Sequence, residues 1–329
     1  MVTTAEVEWA YRMLLGREPE SKAVVEAFTK GVKTVEELRR GFLASPEFPL
    51  KFERQRMAAL TAGEAPTLPM AVPERKAQTQ VSEDELDGLL GRIEKEFVYM
   101  GENEPYWSVL TAEQYKIANL SQQNEEEFFL SGRLMVGEME MAARRNGVDL
   151  PKSAVCFELG CGVGRTTVWL ADTFQHVVAA DVSGPHLALA KRAAADRGKY
   201  NINFLQVNSR TVFENLPEFD AFLSIIVLQH NPPPLIAFML SKIFKKLRPG
   251  GIAYFQILTY GLDYEFTLDE YLQKEVPPGT PELHVLPQRE LFRLMEQADC
   301  ELVEIREDRA AGREMVSNRL LVRKKSVFS

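Results

Sequence analysis

The C-terminal part of the chain is predicted to be an α/β fold. It reads as a seven-stranded, mostly parallel sheet with an antiparallel C-terminal hairpin, preceded by an all-helical module and a helical cap. Three observations predict it. After Pro151, short apolar runs alternate with helix-period segments, the pattern of a parallel sheet covered by helices on both faces. The first of these runs passes directly into a glycine loop, Glu158-Leu159-Gly160-Cys161-Gly162-Val163-Gly164-Arg165. The chain then finishes with two strand-like runs, 301–305 and 318–322, close enough to pair with each other.

Taken in order, residues 1–60 read as a bundle of short helices. Thr4 can cap a first helix carrying Val7, Tyr11, Leu14 and Leu15, which Gly16 ends. Ser21 can cap a second with Val24, Val25 and Phe28. Thr34-Val35-Glu36-Glu37 fits a capping box ahead of Leu38 and Phe42, and Ser45-Pro46-Glu47-Phe48 opens one more turn. No residue here carries catalytic chemistry. Residues 61–81 change character: Pro66, Pro69 and Pro73 stand among Ala, Thr, Gln and Gly without periodicity, as in a semi-extended linker. Ser82-Glu83-Asp84-Glu85 then caps a helix through Leu86, Leu89, Leu90, Ile93 and Phe97, and the helical cap continues to residue 150.

Within 151–329, strands are predicted at 154–159, 177–181, 202–206, 219–226 and 251–258, with helices at about 164–174, 185–197, 234–247 and 288–298. Residues 261–287 form an irregular insertion after the fifth strand. Asn231-Pro232-Pro233-Pro234 leads into a helix and carries no aromatic residue, so it reads as a helix-start proline run.

The glycines raise the question of a ligand, because glycines this close together suit a backbone that approaches something. A dinucleotide loop wants G-x-G-x-x-G, but here Arg165 stands where the last glycine is expected, and a P-loop lysine is missing. Asp181 ends the second predicted strand 21 residues after Gly160, where a carboxylate can accept both hydroxyls of an adenosine ribose. That feature is shared by several nucleotide-binding folds. His230 follows the fourth strand at its C-terminal end, where ligands bind in open parallel sheets. Its imidazole is the best candidate for a general base, beside the alternative of a histidine packed against the proline run.

Two stretches carry resemblances. Tyr11-Arg12-x-Leu14-Leu15-Gly16-Arg17-Glu18-Pro19 with Gly41-Phe42-Leu43-Ala44-Ser45-Pro46-Glu47-Phe48 resembles a small helical bacterial module of unknown function that accompanies glycan-related enzymes and cell-surface proteins. Residues 83–329 resemble the class I S-adenosylmethionine-dependent methyltransferases, which are Rossmann-like. The matching pieces are Glu158-Leu159-Gly160-Cys161-Gly162-x-Gly164-Arg165, Ala180-Asp181-Val182-Ser183, Phe219-Asp220-x-x-x-Ser224-x-x-Val227-Leu228-Gln229-His230, and Leu247-Arg248-Pro249-Gly250-Gly251.

The resemblance implies S-adenosyl-L-methionine as cofactor. Glu158, Gly160, Cys161, Gly162 and Gly164 would hold its methionine end, Asp181 its ribose, and Val182 its adenine. Asn208, where the family often has Asp, would meet the adenine edge together with Ser209. Residues 106–111, Tyr106 and Trp107 among them, would fold over the cofactor as a lid, with Arg133 pairing its carboxylate. Tyr106, Gln229, Tyr271 and His284 are the candidate acceptor contacts. A hydroxyl acceptor benefits from a base such as His230, and the helical module points to a sugar or glycan hydroxyl. Two other readings stand beside this one: a non-catalytic cofactor-binding scaffold acting through the module, and an NAD-dependent oxidoreductase.

Composition bounds the partners. A net charge of −8 disfavours nucleic acid and anionic membrane. Cys156, Cys161 and Cys300 show no disulfide or metal spacing and suit small buried positions in a reducing compartment. No apolar run reaches the roughly 20 residues needed to span a bilayer, and no signal-peptide core opens the chain, so a cytoplasmic protein is expected. Residues 1–60 are the candidate surface for a homodimer or a protein partner.

Overall fold

The computed structural model describes residues 2–15, 17–45, 76–150, 154–261, 264–308, 310–311 and 315–326. The chain divides into two compact units, Met1–Glu74 and Arg75–Ser329.

In the first unit, helix α1 (Thr4–Ala10) runs into a single π-helical turn, Tyr11–Leu15, followed by α2 (Lys22–Gly31) and α3 (Val35–Ala44). Thr3, not Thr4, caps α1. The reason is Glu6, whose carboxylate returns to the Thr3 amide at 2.7 Å and completes a reciprocal pair of bonds. Ser21 and Thr34 cap the next two helices through the amides of Val24 and Glu37. Tyr11 packs edge-on to Phe42 at 4.8 Å and to Phe28 at 6.1 Å, so three helices share one small aromatic core. Gly16, the turn expected at 46–48 and the stretch 61–75 lie outside the described residues.

The second unit opens with residues 76–81, which fall within the expected linker but pair with the insertion. The Gln78 amide donates to the Phe266 carbonyl at 2.9 Å, and the Phe266 amide to that of Lys76 at 3.1 Å. Helix α4 (Glu83–Asn103) follows, capped by Ser82 and Glu85, and then α5 (Gln122–Arg145). Strand β1 (Val155–Leu159) begins the sheet. After it come α6 (Thr167–Thr173), β2 (His176–Asp181), α7 (Gly184–Asp196), β3 (Ile202–Gln206) and the short α8 (Thr211–Glu214). The chain continues through β4 (Phe219–Ser224), α9 (Pro233–Lys246), β5 (Leu247–Gly261), α10 (Leu268–Gln273), α11 (Gln288–Gln297), β6 (Cys300–Glu307) and β7 (Met315–Lys324).

The seven strands lie in the order β3-β2-β1-β4-β5-β7-β6, the first five parallel and the last two antiparallel to their neighbours. β7 sits between β5 and the edge strand β6, so the C-terminal hairpin extends the sheet. Apolar side chains fill both faces. Phe157, Phe219, Phe222 and Phe255 pack on one with α4, α9 and α11, and Val177, Ala179, Ala221 and Leu223 on the other with α5 and α6. The order reverses between β1 and β4, and open sheets of this kind hold ligands at the carboxyl ends of the strands beside such a reversal. The register pairs Leu159 with Ala180, which brings the glycine loop and Asp181 to that edge together. No helix among the described residues is long and apolar enough to cross a membrane.

Candidate active site

The loop after β1 is shaped by its glycines. Gly160 has φ +76° and Gly162 φ +53°, a region that residues with a Cβ rarely adopt. Space is as restrictive as conformation: a Cβ on Gly160 would sit inside the side chain of Val227, and one on Gly162 would lie 2.6 Å from Val109 Cγ2. The loop is therefore closed over by Val227 from the end of β4 and by Val109 from the cap.

Three charged groups surround this loop. The Asp181 carboxylate accepts the Gly162 amide at 2.8 Å and the Ser183 amide at 2.9 Å, which fixes its orientation while leaving lone pairs toward the cleft it lines. Glu158 is buried and accepts the Thr167 hydroxyl at 2.6 Å. Burial pushes its carboxyl up to about 7, although Thr167 and the charge of Arg165 act the other way. Arg165 is 6% exposed and donates from one terminal nitrogen to Ser131 Oγ at 3.1 Å; its Nε is buried without a partner. Burial lowers its pKa, with Glu158 opposing.

The cap supplies a second wall. Ser108 Oγ lies 2.8 Å from His186 Nε2, which is also 3.2 Å from the Pro105 carbonyl. α4 crosses this histidine at Gly101, where a Cβ would lie 2.8 Å from His186 Nδ1. Gly160, Gly162, Asp181, Ser108 and His186, with Val182, Val207 and Phe213, line one cleft beside the glycine loop.

Ile93 and Phe97 of α4 line this cleft and also a second chamber of about 410 Å³. That chamber is bounded by His230, Tyr271, Arg92, Lys274 and Glu282. The Arg92 guanidinium lies over the Tyr271 ring at 4.2 Å. His230 Nδ1 is 3.0 Å from the Glu282 carbonyl, and Nε2 is 3.3 Å from Gln229 Nε2. Burial lowers the His230 pKa, with the Glu282 carbonyl opposing, so the neutral ring is favoured.

Of the residues singled out from the sequence, Gly160, Gly162, Asp181 and Val182 line the cleft, and His230 and Tyr271 the chamber. Glu158 lies buried just ahead of the loop, and Gly164 packs against Ala190 of α7. The others line neither space. Cys161 turns its side chain into the core beneath the loop, among Leu170 and Ala179. Asn208 is exposed and Ser209 bonds to Thr211 at 3.0 Å, because the chain alternates after β3 and it is Val207 that faces the cleft.

Trp107 lies under the Lys116 ammonium at 5.9 Å, and Arg133 is on the exposed side of α5, 5.6 Å from the Trp169 ring; neither lines the cleft. Tyr106 is tied to Glu125 at 3.0 Å and packs on Phe128, and burial pushes its hydroxyl up to about 12. Gln229 is 4% exposed with its amide engaged internally. His284 is buried in a cage of Tyr264, Phe266 and Tyr271, and burial pulls it down to about 3. Tyr106 and His284 line neither the cleft nor the chamber, and Gln229 meets the chamber through its bond to His230.

Ser108 and Val109 belong to the segment 106–111 that the resemblance places over the cofactor as a lid, without a role of their own, and they line the cleft. Sequence reasoning missed His186, which reads as one more helix-start residue.

Residues 157–251 match the family described as a methyltransferase domain. A curated relative, the tRNA (guanine-N(7)-)-methyltransferase of Chloroflexus aggregans, is 33% identical over 143 residues, which is 40% of this chain. The chain spans 59% of that relative's length. Among solved structures, magnesium protoporphyrin IX methyltransferase of Synechocystis with bound SAH shares the fold at a TM-score of 0.50 and 16% identity, over 71% of this chain and 99% of the other. The chain thus carries a methyltransferase domain on a Rossmann-like fold.

Proposed function

We propose that this methyltransferase-domain chain transfers a methyl group from S-adenosylmethionine to a hydroxyl of a sugar, glycan or other small molecule. The observation that carries the reading is that two spaces share one wall. A cleft with a ribose-type carboxylate and a chamber with a neutral histidine are both lined by Ile93 and Phe97.

The residues present fit the cofactor. Asp181 is placed to accept a ribose hydroxyl, and Val182, Val207 and Phe213 offer apolar surface to the adenine. Glu158 and the unpartnered Nε of Arg165 offer charge and a donor for the methionine end, while the Gly160, Cys161, Gly162 and Gly164 amides are spent within the protein and serve to shape the loop. Bound there, S-adenosylmethionine supplies an activated methyl group. Methyl transfer is an in-line displacement, so alignment in a dry site supplies much of the acceleration. Val109 and Val227 close the loop side against water, and Ile93 and Phe97, which line both spaces, would have to part for an acceptor hydroxyl to reach the methyl carbon. With Nδ1–H donated to the Glu282 carbonyl, His230 keeps its lone pair on Nε2, where it accepts the Gln229 amide at 3.3 Å; an acceptor hydroxyl would take the place of that amide to pass its proton to the ring.

The helical module in the first unit supports a glycan acceptor through the company such modules keep. A second reading, a nucleic-acid acceptor, is favoured by the name of the tRNA-modifying relative. The net charge of −8 weighs against it. Calorimetric titration with S-adenosylmethionine, S-adenosylhomocysteine and NAD tests the cofactor. Saturable binding of the first two, abolished by Asp181→Ala, supports the reading, and binding of NAD alone sinks it. Methyl incorporation into sugar and tRNA acceptors then separates the acceptor classes.

A further inference from the structure

Ser108 and His186 form a hydrogen-bonded pair on the wall of the cleft whose polarity can be worked out. The Ser108 hydroxyl donates to the Pro105 carbonyl at 3.0 Å. His186 Nε2 lies 3.2 Å from that same carbonyl, which can only accept, so the ring proton resides on Nε2. Ser108 Oγ, at 2.8 Å, then accepts from His186. Nδ1 is left as a bare acceptor, buried without a partner against Gly101. The opposite tautomer would bury an unpaired N–H there and forfeit the bond to Pro105.

The consequence concerns Ser108. Its proton is committed to Pro105 and one lone pair to His186, so what it offers the cleft is a single fixed acceptor. The next residue, Val109, closes over Gly162, whose amide binds Asp181, while His186 sits in the first turn after Ser183, whose amide binds the other oxygen of Asp181. Ser108, His186 and Asp181 therefore share one stretch of wall.

Resting on the cofactor reading above, we infer that Ser108 is a specificity-determining residue that accepts a hydrogen bond from the one ribose hydroxyl of the cofactor that Asp181 does not take, and that His186 is the positioning residue that fixes its lone pair. The site so formed reads a sugar hydroxyl as a donor and discriminates against a deoxyribose.

The test is calorimetric binding of S-adenosylhomocysteine and its 2′-deoxy and 3′-deoxy analogues to the full chain and to Ser108→Ala, with folding checked by thermal melting. In the wild type, removing the hydroxyl that faces Ser108 costs about tenfold in affinity. Ser108→Ala binds S-adenosylhomocysteine about tenfold more weakly and loses no more when that hydroxyl is removed. His186→Gln, whose amide reaches the same position as Nε2, keeps the wild-type discrimination, and His186→Leu loses it. Equal weakening of all three ligands by Ser108→Ala, or none, overturns the assignment as a structural contact only. A wild-type protein that binds S-adenosylhomocysteine but shows no deoxy penalty for either hydroxyl also overturns it. Failure of the wild type to bind S-adenosylhomocysteine at all overturns both this inference and the cofactor reading.

Discussion

The Nδ1 of His230 donates to the main-chain carbonyl of Glu282 across 3.0 Å, and this one bond settles which ring nitrogen is basic. Behind it runs a buried relay. Gln256, from the middle of β5, donates to Ser317 Oγ at 2.6 Å and to Gln229 Oε1 at 2.9 Å, which turns the Gln229 amide nitrogen toward His230 Nε2. The other end of Gln256, Oε1, accepts the amide of Ile226 at 3.1 Å. Ile226 is held at φ +60°, a strained conformation for a β-branched residue, in the wall of the cleft.

The first prediction concerns His230. Replacing it with Ala lowers turnover on a hydroxyl acceptor by about 10²–10⁴-fold and leaves cofactor affinity unchanged, since the ring bounds the chamber and not the cleft. Its folded pKa lies below the ordinary value, so the basic form persists as pH falls through 6.5 and is lost only lower. The measurement is a pH–rate profile beside cofactor titration. A wild-type rate that collapses at or above pH 6.5, or a variant that loses cofactor binding instead of turnover, removes His230 as the base.

Much of the sheet was legible because its strands are apolar runs broken by glycine and by helix-period segments, and a five-strand parallel core tolerates little else. The carboxylate of Asp181 was legible for the same reason: it ends a strand, and the end of a strand is where the cleft lies. What the sequence hid is direction. Asn208 and Val207 differ by one position, and only the turn after β3 decides that Val207 faces inward. Arg133 and Arg165 are both arginines near the loop, yet the helical phase of α5 puts the first outside while the second is buried. Gln256 stands in an unbroken buried strand, where nothing but long-range pairing shows that its amide reaches two neighbouring elements.

Gln256 gives the second prediction. Gln256→Leu fills the same volume but strands the Ile226 amide, Gln229 and Ser317 in a buried setting, where each unpaired group costs about 1–3 kcal/mol. The expected loss of unfolding free energy is several kcal/mol in denaturant titration, with weakened turnover because Gln229 no longer orients toward His230. A variant as stable as the wild type would mean that the relay re-forms through other partners.

The third prediction follows from Glu158. Its folded pKa of about 7 lies above the unfolded value of 4.5. The folded state therefore holds the extra proton between these values, and the contribution is fully present below pH 4.5 and lost as pH rises through 7. Relative to wild type, Glu158→Gln gains stability between pH 5 and pH 8, by an amount on the order of 3 kcal/mol. The histidines are common to both proteins and cancel in the comparison. Urea titrations of the two proteins at both pH values measure the difference; parallel changes with pH would show that Glu158 is already ionised when folded.

The last prediction concerns the fit of the cap on the core. At Gly101, α4 passes so close to α7 that an added Cβ would lie 2.7 Å from Ser183 Oγ and 2.8 Å from His186 Nδ1. Ser183 Oγ caps α7 through the His186 amide, and the His186 ring is held through its Nε2 by Ser108 and Pro105, so neither obstructed side chain can swing away without breaking a bond. Gly101→Ala would ordinarily strengthen a helix by about 1 kcal/mol through propensity. Here overpacking, typically about 1–3 kcal/mol, outweighs that gain. The variant is expected to melt at lower temperature and to bind cofactor more weakly, because displacing α4 moves Ile93 and Phe97 on the cleft wall as well. Gly88 and Gly91 on the same helix have nothing within 4 Å of an added Cβ, so Gly88→Ala and Gly91→Ala are the controls and should stabilise. If Gly101→Ala stabilises as they do, α4 is free to lift from His186, and the contact that positions Ser108 is looser than its 2.8 Å bond implies.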